Sequence, residues 1–244
     1  MNIISRLSTM DTRFWGPSGW QLYHLVAHSY KGTHIDSYRA FFMSMKDVLP
    51  CKFCRDSTTI FVNQNPPDMA NIKEWIYDLH NKVNNKLRTQ CKQDQKVICP
   101  PPDPTFTAVS NIYSKLLELE PTSPPGLDFL FCLAYNYNDA SNKEAYQATF
   151  DNLKIVYPFN ELKSCIPSKA PLQSRESLLK WFYKSAKCMS KKTEFKLGSY
   201  IGTLQRYGTY KSGCKRGKTC RNGKKLRDHK KTYKITHERL LKLF

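Results

Sequence analysis

The chain has 244 residues, 40% of them hydrophobic and 13% aromatic, with a formal net charge of +19. That length holds one large or two small domains with proper cores, and that apolar content excludes a disordered chain. No stretch approaches the roughly 18 consecutive apolar residues of a membrane helix, and Met1 to Thr12 lack the apolar segment of a secretory leader, so a cytoplasmic protein is expected. The charge is uneven: 14 of the 39 Lys and Arg lie in residues 206–244, against two acids, Asp228 and Glu238. A basic tail is therefore expected from Arg206 to Phe244, either attracting polyanions such as nucleic acid or anionic lipid or simply solvated. The nine cysteines (51, 54, 91, 99, 132, 165, 188, 214 and 220) are many for a cytosolic chain,. An odd count leaves at least one without an internal partner.

Four helices are predicted between Trp15 and Leu87. Ser18 is the expected cap of the first, with Tyr23, Ala27 and Tyr30 at helical spacing. The second spans about Ser37 to Leu49, with Phe41, Phe42, Met45, Val48 and Leu49 on one stripe, and Pro50 ends it. Cys51-Lys52-Phe53-Cys54 opens the third, which continues through Ile60 and Phe61. The fourth carries Ile72, Trp75, Ile76, Leu79, Val83 and Leu87 on a single face. Antiparallel helices with short links make a bundle.

The two cysteines sit one turn apart at a helix start, where the helix dipole and the cations Lys46, Lys52 and Arg55 favour thiolate. A thiolate there can attack a disulfide or a flavin. A lone CxxC is also read as half of a zinc site or as chance. Zinc would need ligands such as His80 and Cys91, whose spacing fits no common pattern, and a thioredoxin-like pair should follow a strand rather than a helix. More telling is the company the pair keeps. Trp20-x3-His24 lies on the first helix, and His80-Asn81-Lys82-Val83-Asn84 on the fourth, with His80 and Asn84 in one column and Asn81 beside them. Polar groups bordering a core-facing stripe are costly unless something bonds them.

Together, Trp20-x3-His24-x2-Ala27, Pro50-Cys51-x2-Cys54 and His80-Asn81-x-Val83-Asn84-x-Lys86-Leu87 resemble the Erv/ALR family of FAD-linked sulfhydryl oxidases in order and spacing. The likeness runs from Trp15 to about Leu87, and the Trp15-Gly16-Pro17 opening is similar to members encoded by large cytoplasmic DNA viruses. The resemblance implies an all-α fold whose four-helix bundle clasps FAD. It implies that Cys54 lies against the flavin and that Cys51 is the outer sulfur, exchanging with protein dithiols or a thioredoxin-like carrier. Gly16, Trp20 and His24 would contact the cofactor from the first helix, and His80, Asn81, Val83, Asn84 and Lys86 from the fourth. Oxygen would take the electrons and leave as hydrogen peroxide. A viral oxidase would work in the host cytoplasm or the virion. The rival reading is a non-enzymatic polyanion-binding protein on an inactive oxidase scaffold; the intact motif residues argue against it.

Two departures stand out. Many family members carry a C-x16-C disulfide after the histidine-asparagine motif, whereas here Cys91 and Cys99 are the nearest pair, within a segment ending in Pro100-Pro101-Pro102. The second half resembles an eroded copy of the first. Gly19, Ala27 and Tyr30 match Gly126, Ala134 and Tyr137 at an offset of 107; Tyr38, Phe42, Lys46, Val48 and Pro50 match Tyr146, Phe150, Lys154, Val156 and Pro158 at 108; Trp75 and Tyr77 match Trp181 and Tyr183 at 106. The chemistry is missing from the copy. Trp20 becomes Leu127, His24 becomes Phe131, Cys51 and Cys54 become Phe159 and Leu162, and His80 and Asn81 become Ala186 and Lys187. The expected organisation is an oxidase domain over residues 1–104, a helical domain over 105–205 that is either a degenerate repeat or a chance likeness, and the tail over 206–244. Family members commonly pair as homodimers, so the chain is expected to be a homodimer or an internal pseudo-dimer, with Pro121 to Pro125 as linker. Cys132, Cys165 and Cys188 would be structural or unpaired thiols. Cys214 and Cys220, in a basic glycine-containing loop, would form a local disulfide or a mobile shuttle.

Overall fold

The computed structural model describes residues 9–93, 99–138 and 140–212. Among these the architecture is all-α, with one two-residue antiparallel strand pair: β1 (Thr9–Met10), α1 (Thr12–Ser29), α2 (Ile35–Val48), α3 (Lys52–Gln64), α4 (Ile72–Gln93), α5 (Phe106–Glu118), α6 (Leu127–Asn136), α7 (Lys143–Val156), the single turn α8 (Asn160–Lys163), α9 (Arg175–Ser190), α10 (Tyr200–Gly208) and β2 (Lys211–Ser212).

The first helix begins earlier than Ser18. Asp11, fully buried, is the cap: its Oδ1 accepts from the Arg13 backbone N–H at 3.0 Å, and its carboxylate pairs with the Arg13 guanidinium at 2.6 Å,. The early start brings Phe14 and Trp15 into the core, and Pro17 is carried inside the helix. Ser18 instead crosses to the second half, its Oγ accepting from the Phe129 N–H at 3.3 Å. Tyr30 falls just outside the helix as its C-cap. The second helix closes at Val48 with Leu49 as cap, ahead of Pro50, and buries Phe41, Phe42, Met45 and Val48 as its stripe requires. The fourth buries Ile72, Trp75, Ile76 and Leu79, and runs past Leu87 to Gln93. Cys91 and Cys99 are joined, with Cα atoms 5.4 Å apart, tying the end of α4 to the proline-rich segment.

Three helices of the second half open on a side-chain cap, Asn142 for α7, Ser174 for α9 and Ser199 for α10, whereas α6 and α8 open on Gly126 and Phe159 without one,. The short apolar α6 is buried along most of its length and lies against both α1 and α9. The most extensive helix pairing among the described residues is α2 with α7, and at its centre Ser44 and Thr149 share a buried hydroxyl–hydroxyl hydrogen bond of 2.6 Å. One continuous hydrophobic cluster therefore runs through both halves. A second disulfide, Cys165–Cys188, fastens the turn after α8 to α9, so those two cysteines are structural.

The boundary expected at Arg206 is wrong. The helix α10 runs across it to Gly208, and the Tyr207 ring, 2% exposed, packs on Phe131 while its hydroxyl donates to Asp128 at 2.6 Å. Beyond it Tyr210 stacks on Phe14 at 3.6 Å, and Lys211 and Ser212 pair with Met10 and Thr9. Charge composition marked this stretch as tail because Arg206 and Lys211 carry its sign, but the aromatic rings between them decide its placement. The rest of the expected basic segment, with Cys214 and Cys220, lies outside the described residues.

Two stability predictions follow from these contacts. Asp11→Ala removes a helix cap and leaves Arg13 without its carboxylate, and should lower the free energy of unfolding in urea by about 1–3 kcal/mol. A chain ending at Ser212 should be more stable than one ending at Gln205 by at least about 3 kcal/mol, the typical cost of losing a buried aromatic ring. Equal melting temperatures for the two truncations would mean that α10 and β2 contribute nothing to the fold.

Candidate active site

Three helices supply the site. Cys51 is the N-cap of α3, and its Sγ accepts from the Cys54 backbone N–H at 3.2 Å, so the first turn of the helix folds around the sulfur,. Cys51 and Cys54 are not joined in a disulfide in this structure. Cys51 is 0% exposed, whereas Cys54 is half-buried. The reason is local. As cap, the Cys51 side chain turns back onto the first turn of α3, and the carbonyl of the preceding Pro50 accepts the Met10 N–H at 2.9 Å.

Of the three cations the sequence suggested, Arg55 acts on Cys54, whereas the two lysines are paired elsewhere. Lys46 pairs with Asp47 at 3.3 Å, and Lys52 with Asp56 at 3.0 Å on the surface. Arg55 bonds the Leu49 carbonyl at 2.5 Å. The lysine that reaches the site is Lys86 of α4, whose Nζ bonds Ser57 Oγ and lies 3.4 Å from the Phe53 carbonyl, crossing from α4 to α3. The Cys54 thiol is held well above its usual range by its hydrogen bond with Cys51, by burial and by the neighbouring sulfur's charge; Lys86 and Arg55 oppose that rise,.

On the other flank, α1 and α4 bring rings together. Trp20 and His80 stack at 4.0 Å with planes 10° apart, and His24 Nε2 lies 3.1 Å from His80 Nδ1. Burial keeps all the imidazoles here neutral. His24 titrates well below the usual range, through burial first and then through its His80 and His28 neighbours. His80 is pulled down to about 4 by burial, against an opposing pull from Asp103. Asn84 donates to Asp103 at 2.8 Å. Asn81 and Val83 are half-buried on the same helix, and a side chain at Gly16 would meet nothing within 4 Å, so that glycine borders open space.

Four residues of this region carry no signal in the three motifs. His28, one turn beyond His24, is buried, and its Nδ1 donates to the His24 carbonyl at 2.8 Å. Tyr113 of α5 stacks on His24 at 4.6 Å with planes 8° apart, closing the site from a helix that the motif region does not include. Asp103 is held by Arg88 as well as by Asn84, and Arg88 holds its carboxyl below the usual range. The spacing His24-x3-His28 and the helical run Val109, Tyr113, Leu116 could have found the first two. The Arg88–Asp103 pairing spans a proline-rich loop and had no readable pattern.

Among the described residues nothing bonds His24 Nδ1 or His28 Nε2, although both atoms are buried. A buried lone pair or N–H without a partner calls for one, and a water or a polar group of a bound molecule can supply it. Adjoining it are a flat indole–imidazole surface, neutral imidazoles and the amide of Asn81. This donor set fits a planar heteroaromatic cofactor, and the nearby thiol pair fits a two-electron one.

Comparison with known proteins agrees with that chemistry. A family model described as Erv1 / Alr matches residues 17–99. A protein of Invertebrate iridescent virus 6, named as a FAD-linked sulfhydryl oxidase, is 31% identical over 96 residues, which cover 33% of this chain and 86% of the relative. The mitochondrial FAD-linked sulfhydryl oxidase of Saccharomyces cerevisiae is 32% identical over 85 residues, covering 32% of this chain and 45% of the relative. A protein of Acanthamoeba polyphaga mimivirus, also named as a FAD-linked sulfhydryl oxidase, is 35% identical over 85 residues, covering 31% and 59%. No solved structure matches the chain significantly. The match therefore falls on the first half, where the tryptophan–histidine and histidine–asparagine turns meet and Lys86 ties α4 to the helix of the cysteine pair, and the chain belongs to the Erv1/Alr family.

Proposed function

We propose that the protein is a FAD-linked thiol oxidase that makes disulfide bonds in protein dithiols and passes the electrons to oxygen. The observation that carries this reading is the Cys51–Cys54 pair at the start of α3, linked through Lys86 to the helix that presents His80 and Asn84. Cofactor contacts are assigned to Gly16, Trp20, His24, Cys54, His80, Asn81, Val83, Asn84 and Lys86. When bound, FAD supplies a two-electron acceptor that returns its electrons to oxygen as hydrogen peroxide.

The chain's part begins with its sulfurs in the disulfide form. A substrate thiolate attacks Cys51 Sγ, the Cys51–Cys54 bond breaks, and Cys54 leaves as a thiolate. The substrate's second thiolate then attacks the mixed disulfide, closing the product disulfide and releasing Cys51. Exchange at Cys51 requires its side chain to swing out of the cap position. Cys54, the leaving sulfur, stands where Lys86 and Arg55 stabilise its charge against burial,. Cys51 and Cys54 would then close their disulfide again, giving up the two electrons and two protons that a bound FAD would accept. The imidazoles of His24 and His80 stay neutral at pH 7 and serve as hydrogen-bonding and stacking surfaces rather than as charges,.

The purified protein should be yellow, or become so with added FAD, and should take up oxygen with dithiothreitol. A folded, colourless preparation that FAD cannot restore would sink the reading. Cys54→Ser should reduce anaerobic flavin bleaching by dithiothreitol to background while FAD remains bound. Cys51→Ser should stop turnover but leave a thiol beside the cofactor, visible as a new long-wavelength absorption. Wild-type turnover in both variants would refute the sulfur roles.

The electrostatics give a third expectation. Lys86 lowers the Cys54 pKa, so Lys86→Met raises it further above the usual thiol value. Reduction of the cofactor needs the thiolate and speeds up as pH rises through that pKa, so the rate profile should move to higher pH. Stopped-flow reduction between pH 6 and 10 measures this, and an unmoved or acid-shifted profile contradicts the assigned role.

A further inference from the structure

We propose that residues 127–208 are a second, cofactor-free copy of the oxidase fold, docked in cis about a pseudo-two-fold axis. In that position the copy permanently covers the α1–α2 face of the working half. The architecture stands on contacts alone; only the expected flavin count rests on the function proposed above.

The helices recur in order. Residues 35–48 and 143–156 are helices of equal length at an offset of 108. The ring contacts recur with them. Tyr30 and Tyr38 meet at 4.7 Å and 55°, and their counterparts Tyr137 and Tyr146 at 4.9 Å and 54°. Phe42 and Trp75 meet edge-to-face at 5.6 Å, and Phe150 and Trp181 at 5.8 Å. A polar tie recurs as well. Lys86 crosses from α4 to the Phe53 carbonyl and Ser57 Oγ on α3; Lys192 crosses from just past α9 to the Glu161 carbonyl and Ser164 Oγ, both at 2.9 Å. Only the offsets of 106 to 108 relate these groups. A chance likeness between helical segments has no reason to preserve a three-group tie.

The docking has the symmetry of a homodimer. In an isologous contact, residue i of one copy meets j of the other, and j meets i in return. A side chain added at Gly19 would lie 3.1 Å from Phe129, and one added at Gly126 would lie 2.6 Å from Leu22. Gly126 is the counterpart of Gly19, and Phe129 that of Leu22. Each of the first two helices also packs on its own counterpart, α1 on α6 and α2 on α7, as an axis passing between them demands.

The copy has no room for a cofactor. The ring that replaces His24 is Phe131, buried between Tyr207 at 4.8 Å and Phe182 at 4.7 Å. Tyr207 thereby repeats the stacking that Tyr113 makes on His24, with α10 standing in for α5. Phe159 and Leu162, at the positions of the cysteine pair, are buried, and the Cys165–Cys188 disulfide adds a covalent tie beside Lys192.

Ser44 and Thr149 meet across the axis at 2.6 Å between hydroxyls, close enough for a disulfide between cysteines placed there,. The full-length Ser44→Cys/Thr149→Cys variant, oxidised and run without reductant, should remain a monomer, with mass spectrometry finding residues 44 and 149 linked within one chain. It should also retain one FAD per chain by absorbance. A covalent dimer linked through 44 and 149, or no linkage in a folded variant, overturns the docking in cis. Two FAD per chain overturns the vacated site. A linked chain that binds no FAD leaves the architecture standing and refutes the proposed function instead.

Discussion

The structure depends on α1 being buried on two sides at once. One side carries Gly19, Leu22 and Tyr23 toward α2 and α6; the other carries Trp20, His24 and His28 toward α4 and α5. A helix enclosed in this way lacks a solvent stripe, and ten of its residues are buried,. Its polar residues must then find partners inside the protein. His28 finds the His24 carbonyl, and His24 finds His80, but one nitrogen on each of His24 and His28 is left over. The same burial that fixes the helix thus creates the unmet hydrogen-bonding capacity that defines the site, and it also keeps the imidazoles uncharged.

Much of the first half was legible because its signals are local. The stripes of α2 and α4, the stop at Pro50 and the helix start at the cysteine pair each follow from a few neighbouring residues. The start of α1 differs from the expected one because Ser18 is a good cap in isolation, whereas Asp11 is selected by a buried ion pair with Arg13 and by the core's need for Phe14 and Trp15. The burial of Cys51 has a related origin: sequence gives the order of the two sulfurs, but burial depends on which one turns back as the cap.

Long-range features were the least visible. Tyr113 reaches His24 from a helix nearly ninety residues away, and Asp103 reaches Asn84 and Arg88 across a loop. The pairing of Cys165 with Cys188 was one of many that nine cysteines allow,. Around Arg206 the charge count pointed to a tail, yet Tyr207 and Tyr210 belong to the folded body. Net charge describes solubility and partners, and says little about where a segment packs.

Among the described residues each of the two disulfides lies within a single half, Cys91–Cys99 in the first and Cys165–Cys188 in the second. What holds the halves to each other is packing, the strand pair and the short connection between α5 and α6, part of which is exposed at Leu119, Glu120, Thr122 and Ser123. Among the described residues that connection is the sole covalent link between two mutually complementary surfaces. A protease that cut it would leave the contacts in place but turn an intramolecular association into a bimolecular one. The stability of the nicked protein would then depend on its concentration, as that of an intact single chain does not.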